Sequence, residues 1–106
     1  MYKVVVTNPA KNDLNSAVSY IANDLKNISA AKDLLYETEK VFNSLSSMPK
    51  RFPIVNDSVL ASQGIRLTQI KNYLAFYVVR EKSESVVLLR FLYARRDWEN
   101  ILKDNN

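Results

Sequence analysis

The residues best suited to chemistry lie near the end of the chain, in the segment VVLLRFLYARRDW at positions 86 to 98. An apolar, strand-like run passes directly into Arg90, Tyr93, Arg95, Arg96 and Trp98. Arginine offers a planar fork of donors that suits phosphates and carboxylates. Charge gathered at a strand end usually has an anionic partner. The segment therefore predicts a binding surface for an anion or for an acidic partner.

The residue types that are absent limit the possible chemistry. The chain has no Cys, which rules out disulfides, thiolate catalysis and sulfur-ligated metals. It also has no His, so it lacks the commonest general base and the commonest metal ligand. The Asp and Glu residues show no metal-ligand spacing. We therefore expect no metal site and no cofactor.

Length and charge give the broad class. A chain of 106 residues is long enough for a single domain, 1–106, with a modest core. No apolar run approaches the roughly 20 residues that span a bilayer, so a cytoplasmic location without membrane contact is expected. The formal charge of +4 lies wholly in the second half, where ten Lys or Arg residues face six acids after position 49. For scattered charges, a solvated basic face is an equally good interpretation.

The elements that must position these groups can be read from periodicity. Tyr2–Val6 is rich in β-branched residues and predicts a strand. Asn8 and Pro9 favour a helix start, with Asn8 as N-cap. The apolar stripe of the first helix continues at spacings of three and four, through Leu14, Ala17, Val18, Ile21 and Leu25.

A second helix is expected from an N-cap at Ser29 to Met48, because Pro49 ends it. The short connection predicts an antiparallel helical hairpin. Positions 49 to 64 favour a loop. The remaining pattern predicts three meandering strands and a short helix, at positions 65–70, 73–80, 86–93 and 95–103. The expected fold class is α+β, in which a two-helix hairpin packs on one face of a small antiparallel sheet and the first strand lies at an edge.

The order of these pieces resembles a known family. NPAKNDL and SYI in the first helix, SLSSMPKRFP after the second, GIRLTQIKNYLAFYVV, and LLRFLYARRDW together look like the RelE/ParE toxins of bacterial type II toxin-antitoxin modules. The resemblance spans nearly the full length. It implies a small cytoplasmic, growth-inhibiting toxin of the plasmid-stabilization kind, held inactive by a cognate antitoxin. A basic toxin with apolar grooves between a helical hairpin and a sheet suits an antitoxin that is acidic and partly disordered when free, because complementary charge speeds association.

The family divides into two activities. RelE-like members cleave messenger RNA on the ribosome, which needs a base, cations for the transition state and an acid. ParE-like members lack that constellation and poison DNA gyrase. In the nucleases a catalytic Arg typically follows the aromatic residue that opens the middle strand, whereas here Leu74 follows Tyr73. The ARRDW ending and the long hairpin also look ParE-like, so gyrase poisoning is the leading hypothesis and an enzyme is the less favoured one.

The resemblance leaves a few residues as candidates for nuclease chemistry. They are Arg66, Tyr93, Arg95 and Arg96. A tyrosine serves as acid or base only if its pKa of about 10 is lowered, for example by guanidinium groups. An mRNA endonuclease, or an inert binding-only member, therefore remains as an alternative function.

The same residues, with Arg90 and Trp98, are candidates for contacts with the target or the antitoxin. Structural roles are open for each of them. Arg66 could pair with Asp57 or Glu81, and Arg90 could be structural. Trp98 is expected to fasten the terminal helix to the sheet.

Overall fold

The computed structural model describes residues 1–104. Its helices and strands follow the order expected from the sequence, with one additional short helix. In chain order they are β1 (Lys3–Val6), α1 (Asn8–Ser19) continued by a π-helical turn (Tyr20–Asp24), α2 (Ile28–Ser44), α3 (Ser58–Ser62), β2 (Arg66–Ile70), β3 (Tyr73–Arg80), β4 (Ser85–Tyr93) and α4 (Trp98–Asp104).

The four strands form one sheet in the order β1-β4-β3-β2. β2, β3 and β4 are the antiparallel meander that the tight turns predicted. β1 lies at the edge, as expected, and pairs in parallel with β4, from Lys3 opposite Ser85 to Val6 opposite Leu88. The mixed α+β class is confirmed, and the parallel pair makes the sheet itself mixed.

Helices cover both faces of the sheet, whereas the sequence predicted cover on one. The α1–α2 hairpin packs on the face that carries Ala75 and Tyr77 of β3. On the other face, Phe76 and Val78 of β3 pack with Leu60 of α3 and with α4. Successive side chains of a strand point to opposite faces, so β3 supplies both cores. The first core lies under the α1–α2 hairpin, and the second core lies around Phe76, under α3 and α4. This two-sided burial explains why β3 and β4 read as nearly continuous apolar runs.

Several element boundaries differ from the predicted ones. Thr7, and not Asn8, caps α1, because its Oγ1 accepts the Ala10 N–H at 3.3 Å. Asn27, and not Ser29, caps α2 and accepts from the Ala30 N–H at 3.0 Å. α2 ends at Ser44, four residues before Met48. Polar residues adjacent to the first turn compete for the same capping role, so the sequence defines the helix better than its first residue.

The segment predicted as a loop contains α3, and that prediction was wrong for positions 58 to 62. Asp57 caps this helix by accepting the Leu60 N–H at 3.0 Å. Leu60 is fully buried, so the helix persists because it fills the second core. Gly64 follows with φ +77, a conformation that glycine adopts without strain.

Candidate functional site

The candidate site lies where β4 ends and the chain turns towards α4. Tyr93, the last residue of β4, is 41% exposed and pairs with Tyr73 at the start of β3. Their rings meet edge to face, with centroids 5.6 Å apart. The turn is fixed by backbone hydrogen bonds, from Ala94 N–H to Asn72 O at 2.9 Å and from Arg96 N–H to Tyr93 O at 3.0 Å.

Arg95 and Arg96 are exposed on this turn. Within residues 1–104, neither guanidinium has a hydrogen bond or an ion pair. The neighbouring carboxylate of Asp97 does not pair with them, and its Oδ2 accepts a hydrogen bond from Asn100 Nδ2 of α4 at 2.7 Å. The two charges therefore face solvent and are available to a partner.

Trp98 has the packing role expected of it. Its ring lies 5.1 Å from the Phe76 ring, between centroids, at a tilt of 35°. Phe76 is fully buried at the centre of the sheet, so this contact fastens α4 to the second core. Trp98 is only partly buried, but its inner surface is committed to packing.

Arg90 belongs to a different environment from Arg95 and Arg96. Its Nε lies 2.7 Å from Asp13 Oδ2 and its Nη2 lies 3.0 Å from Oδ1, which makes a two-point pair with α1. The two side chains are 18% and 14% exposed. The hydrogen bond from Arg90 to the Asp13 carboxylate raises the pKa of the guanidinium, against the opposing effect of burial. Arg90 is thus held by the fold.

The same carboxylate completes the edge of the sheet. β1 ends opposite Leu88, so beyond that residue β4 is paired with β3 on one side and has no neighbouring strand on the other. Asp13 Oδ2 accepts the Phe91 N–H at 3.0 Å in place of that strand. A buried backbone N–H without an acceptor would cost about 1–3 kcal/mol, so Asp13 satisfies both a charge and a backbone donor.

A β-bulge explains why Arg90 points to this edge. Arg90 is opposite Phe76, but Leu88 is opposite the next residue, Tyr77, so Leu89 is extra on β4. Thr7 Oγ1 bonds to the carbonyl oxygens of Leu88 at 2.8 Å and Leu89 at 3.1 Å. Bulges re-aim side chains and increase local twist.

Arg66 opens β2, two strands across from β4 and several residues along the sheet from Tyr93. It is opposite Tyr77, four residues along β3 from Tyr73, which corresponds to about 13 Å of strand. Its Nη1 donates to Phe52 O at 2.6 Å and, more weakly, to Lys50 O at 3.4 Å. It therefore supports the loop before α3.

The ion pairs considered for Arg66 do not form. Asp57 pairs with Lys103 at 2.8 Å, and Glu81 pairs with Lys50 at 2.6 Å. Glu81 also accepts a hydrogen bond from the Tyr2 hydroxyl at 2.6 Å. The surface pairing that the sequence left open for Arg66 does not form, and its Nη1 donates to backbone carbonyls.

The sequence candidates thus separate into two groups. Tyr93, Arg95 and Arg96 lie together at the exposed turn, whereas Arg66 and Arg90 are held elsewhere by Phe52 and Asp13. Leu74, the residue in the position that carries a cation in the nucleases, packs into the second core. Among the described residues, no group of three or more His, Cys, Asp or Glu side chains could hold a metal ion.

A cleft beside the site was not foreseen from the sequence. It has a volume of about 630 Å³ and lies between the α1–α2 connection, the β2–β3 turn and the end of β4. We name it the tyrosine cleft. The side chains and turns that define it come from both the helical hairpin and the sheet, namely Tyr20, Leu25, Asn27, Asn72, Tyr73 and Tyr93.

Leu25 departs from its predicted burial and helps to form the cleft. The apolar stripe predicted a buried Leu25, but it is 56% exposed and lines the cleft. The chain leaves the regular α-helix at Tyr20, where the Leu25 N–H donates to the Tyr20 O at 3.1 Å across five residues. A π-helical turn has no simple sequence signal, because the apolar period continues through it.

The fold is shared with solved structures of toxin-antitoxin systems. The fold is similar to the solved structure of the chromosomal ParDE toxin-antitoxin system from P. aeruginosa, with a TM-score of 0.71 at 15% identity over 90% of this chain and 98% of that chain. It is also similar to the RelBE2 toxin-antitoxin complex from Mycobacterium tuberculosis, with a TM-score of 0.54 at 23% identity over 87% of this chain and 96% of that chain. These similarities establish the fold. Comparison with curated proteins gives no match.

The sequence itself defines the family. Residues 4–98 match the ParE toxin of type II toxin-antitoxin systems, parDE. The chain therefore belongs to the ParE toxin family, within the RelE/ParE superfamily that the sequence resemblance indicated. In residues 1–104, no helix is long and apolar enough to cross a membrane.

Proposed function

We propose that this protein is a growth-inhibiting toxin that acts on DNA gyrase through a protein contact and does not cleave RNA. The observation that carries the proposal is the dispersal of the candidate cations. Arg66 supports the loop before α3 and Arg90 is paired with Asp13, whereas Arg95 and Arg96 beside Tyr93 have no partner within residues 1–104.

RNA cleavage needs an acid, a base and cations around one phosphate. General acids and bases act within hydrogen-bond reach, about 2.6–3.2 Å, of the proton they transfer. Stabilising donors must also point at the position where charge develops. About 13 Å of strand separates the Arg66 and Tyr93 positions, and Leu74 offers no charge between them. This arrangement favours the non-enzymatic activity.

The exposed turn is suited to protein recognition. Tyrosine and arginine are enriched among the residues that dominate binding energies at interfaces. Tyr93, Arg95 and Arg96 present an aromatic ring and two unpaired guanidinium groups on a turn that backbone hydrogen bonds hold in place. We assign the contact with gyrase to this turn.

An antitoxin partner is part of the proposal. The structurally similar ParDE and RelBE2 proteins are toxin-antitoxin systems. The charge of +4 favours an acidic antitoxin, and opposite charges would speed its association. Cytoplasmic action follows from a gyrase target.

The test is induction of the chain in cells without its antitoxin, with two readouts. We expect gyrase-linked DNA cleavage complexes and loss of supercoiling activity, without cuts in messenger RNA. Messenger RNA cleavage with normal gyrase would contradict the proposal, and so would the absence of growth arrest.

Charge reversal provides the matched control. The double variant Arg95→Glu/Arg96→Glu should lose inhibition of purified gyrase by at least tenfold. Lys3→Glu/Lys82→Glu changes the net charge equally at exposed positions near the opposite end of β4 and should keep the inhibition. Equal losses in both variants would show a dependence on net charge and not on this turn.

A further inference from the structure

An irregular turn of helix shapes one wall of the tyrosine cleft. In a regular α-helix, residues five apart point about 140° away from each other. The π-helical turn from Tyr20 to Asp24 widens the helix, and Tyr20 and Leu25 both line the cleft as a result. Such π turns are frequently found at functional sites.

Two lysines in strained conformations flank the same cleft. Lys26, between Leu25 and Asn27, has φ +52, and Lys71, before Asn72, has φ +55. The left-handed region costs a residue with a side chain roughly 1–2 kcal/mol. Lys71 opens the two-residue turn between β2 and β3, and such turns need a positive φ. Glu84 in the β3–β4 turn has φ +48 as well, so these conformations shape the rim of the cleft and do not by themselves mark a site.

The walls of the cleft carry exposed apolar surface. Tyr20 is 50% exposed, Leu25 is 56% exposed and Tyr93 is 41% exposed, and Ile28 beside Asn27 is 63% exposed. Single exposed apolar residues are common, but several around one concavity mark a binding surface. The volume of about 630 Å³ falls in the usual range for binding clefts, about 300–1,000 Å³, and gives room for more than one large side chain.

The floor of the cleft is neutral. The Tyr73 ring stacks on the buried Phe91 ring, with centroids 5.1 Å apart and planes 9° from parallel. Burial raises the pKa of the Tyr73 hydroxyl, and the nearby Tyr93 and Tyr20 hydroxyls raise it further. All three phenols therefore lie near one another, and Tyr73 stays protonated at neutral pH.

The rim of the cleft differs in charge on its two sides. On the helical side, the positive charge of Lys26 and the negative charge of Asp24 lie two positions apart in the chain and cancel. On the β4 side, the chain continues from Tyr93 to the unpaired Arg95 and Arg96. An occupant should therefore offer apolar side chains to the cleft and carboxylates towards the end of β4.

We propose that the tyrosine cleft receives large apolar side chains from an acidic, folded element of gyrase, as a continuation of the Arg95–Arg96 contact. This inference rests on the proposed function. A segment that folds on binding, such as an antitoxin tail, spreads its contacts over a long surface. A compact, preformed cleft suits a protruding element of a folded partner, where a few buried anchors supply most of the affinity.

The test compares tyrosines inside and outside the cleft. Tyr20→Ala and Tyr93→Ala should each weaken binding of the purified toxin to gyrase at least tenfold. Tyr36→Ala, at a 64% exposed tyrosine of α2 outside the lining of the cleft, should leave binding unchanged. Leu25→Glu places a negative charge in the cleft at an exposed position that the fold tolerates, and should also weaken binding of the acidic partner tenfold.

Two further measurements identify the occupant. Antitoxin affinity should stay within threefold for all four variants, and urea unfolding should show folded protein. Unchanged gyrase binding by the cleft variants would overturn the inference. A loss confined to antitoxin binding would assign the cleft to the antitoxin, and Tyr-dependent binding of single-stranded oligonucleotides would assign it to a base; either result overturns the inference. If the unaltered toxin neither binds nor inhibits gyrase, the proposed function itself is wrong.

Discussion

Arg90 and the pair Arg95 and Arg96 lie within seven positions of the chain, but they have different environments. Arg90 is 18% exposed in its side chain, holds Asp13 at two points and shares that carboxylate with the Phe91 N–H. Arg95 and Arg96 are exposed on the next turn, and the described residues give them no partner. Arg90 therefore stabilises the fold, whereas Arg95 and Arg96 are available for binding.

The difference arises from where each element ends. β1 stops opposite Leu88, which leaves an open edge that Asp13 and Arg90 close. The turn that carries Arg95 and Arg96 comes after β4 has ended, where the Ala94 N–H donates to Asn72 O and both arginines are exposed. A row of cations in the sequence is therefore not one site, because each cation acquires its role from the neighbouring element.

Removal of Asp13 should have the largest effect on stability. Asp13→Ala leaves a partly buried guanidinium and an unpaired Phe91 N–H, so we expect the free energy of unfolding to fall by about 3 kcal/mol. Urea unfolding of the purified toxin measures this change. The specific activity of the protein that remains folded should be unchanged, because Asp13 does not face the exposed turn.

The control separates the two tasks of Asp13. Asp13→Asn keeps an acceptor for the Phe91 N–H and loses the charge, so its loss of stability should be smaller than that of Asp13→Ala. A change below about 0.5 kcal/mol for Asp13→Ala, the size expected for an ordinary surface position, would show that Arg90 and Asp13 do not close the edge as described.

Reversal of the exposed pair should give the opposite pattern. Arg95→Glu/Arg96→Glu should change the free energy of unfolding by no more than about 0.5 kcal/mol, because neither side chain has a partner among residues 1–104. Its affinity for an acidic antitoxin should fall at least tenfold, which is about 1.4 kcal/mol. Titration calorimetry at two salt concentrations tests this, since the loss should be smaller at high salt. Unchanged affinity would refute neutralisation of these arginines by the antitoxin.

The sequence predicted the architecture because its signals are periodic and long. The apolar period of α2 and the paired runs of β3 and β4 locate these elements, and the order of pieces points to the toxin superfamily. Boundaries were less certain, since Thr7 and Asn8 both have side chains that can cap a helix. The short helix α3 depends on Asp57 and on the burial of Leu60, neither of which gives a periodic signal.

The site was predicted only as a neighbourhood. That Arg95 and Arg96 lie at a strand end follows from the sequence, but the partners of Arg90 and Arg66 are 77 and 14 residues away along the chain. A single sequence does not reveal which distant group will meet a cation. The tyrosine cleft combines Tyr20 of a π-helical turn with Tyr73 and Tyr93 of the sheet, so it exists only after the hairpin packs.

The smallest effect is expected for the ion pair of Lys103 and Asp57, whose lysine is more exposed than Arg90 and less exposed than Arg95 and Arg96. Lys103 Nζ lies 2.8 Å from Asp57 Oδ2, with side chains 37% and 13% exposed, and links α4 to the N-terminus of α3. The Lys103 hydrogen bond and the Leu60 N–H lower the pKa of Asp57, whereas the bond to Asp57 raises the pKa of Lys103.

The lowered pKa of Asp57 and the raised pKa of Lys103 determine how the stability contributed by this pair changes with pH. Because the folded pKa of Asp57 is lowered, its contribution is fully present above the unfolded value of about 3.9 and is lost as the pH falls through the folded pKa. Because the folded pKa of Lys103 is raised, its contribution is present below about 10.4 and is lost as the pH rises through the folded pKa.

Asp57→Asn keeps an acceptor for the Leu60 N–H and removes only the charge. We therefore expect the difference in urea midpoint between the unaltered toxin and Asp57→Asn to be constant from pH 5 to 8 and to shrink below about pH 4. A difference that stayed the same in acid would mean that the pair does not link α3 to α4, and that Asp57 acts only as a cap.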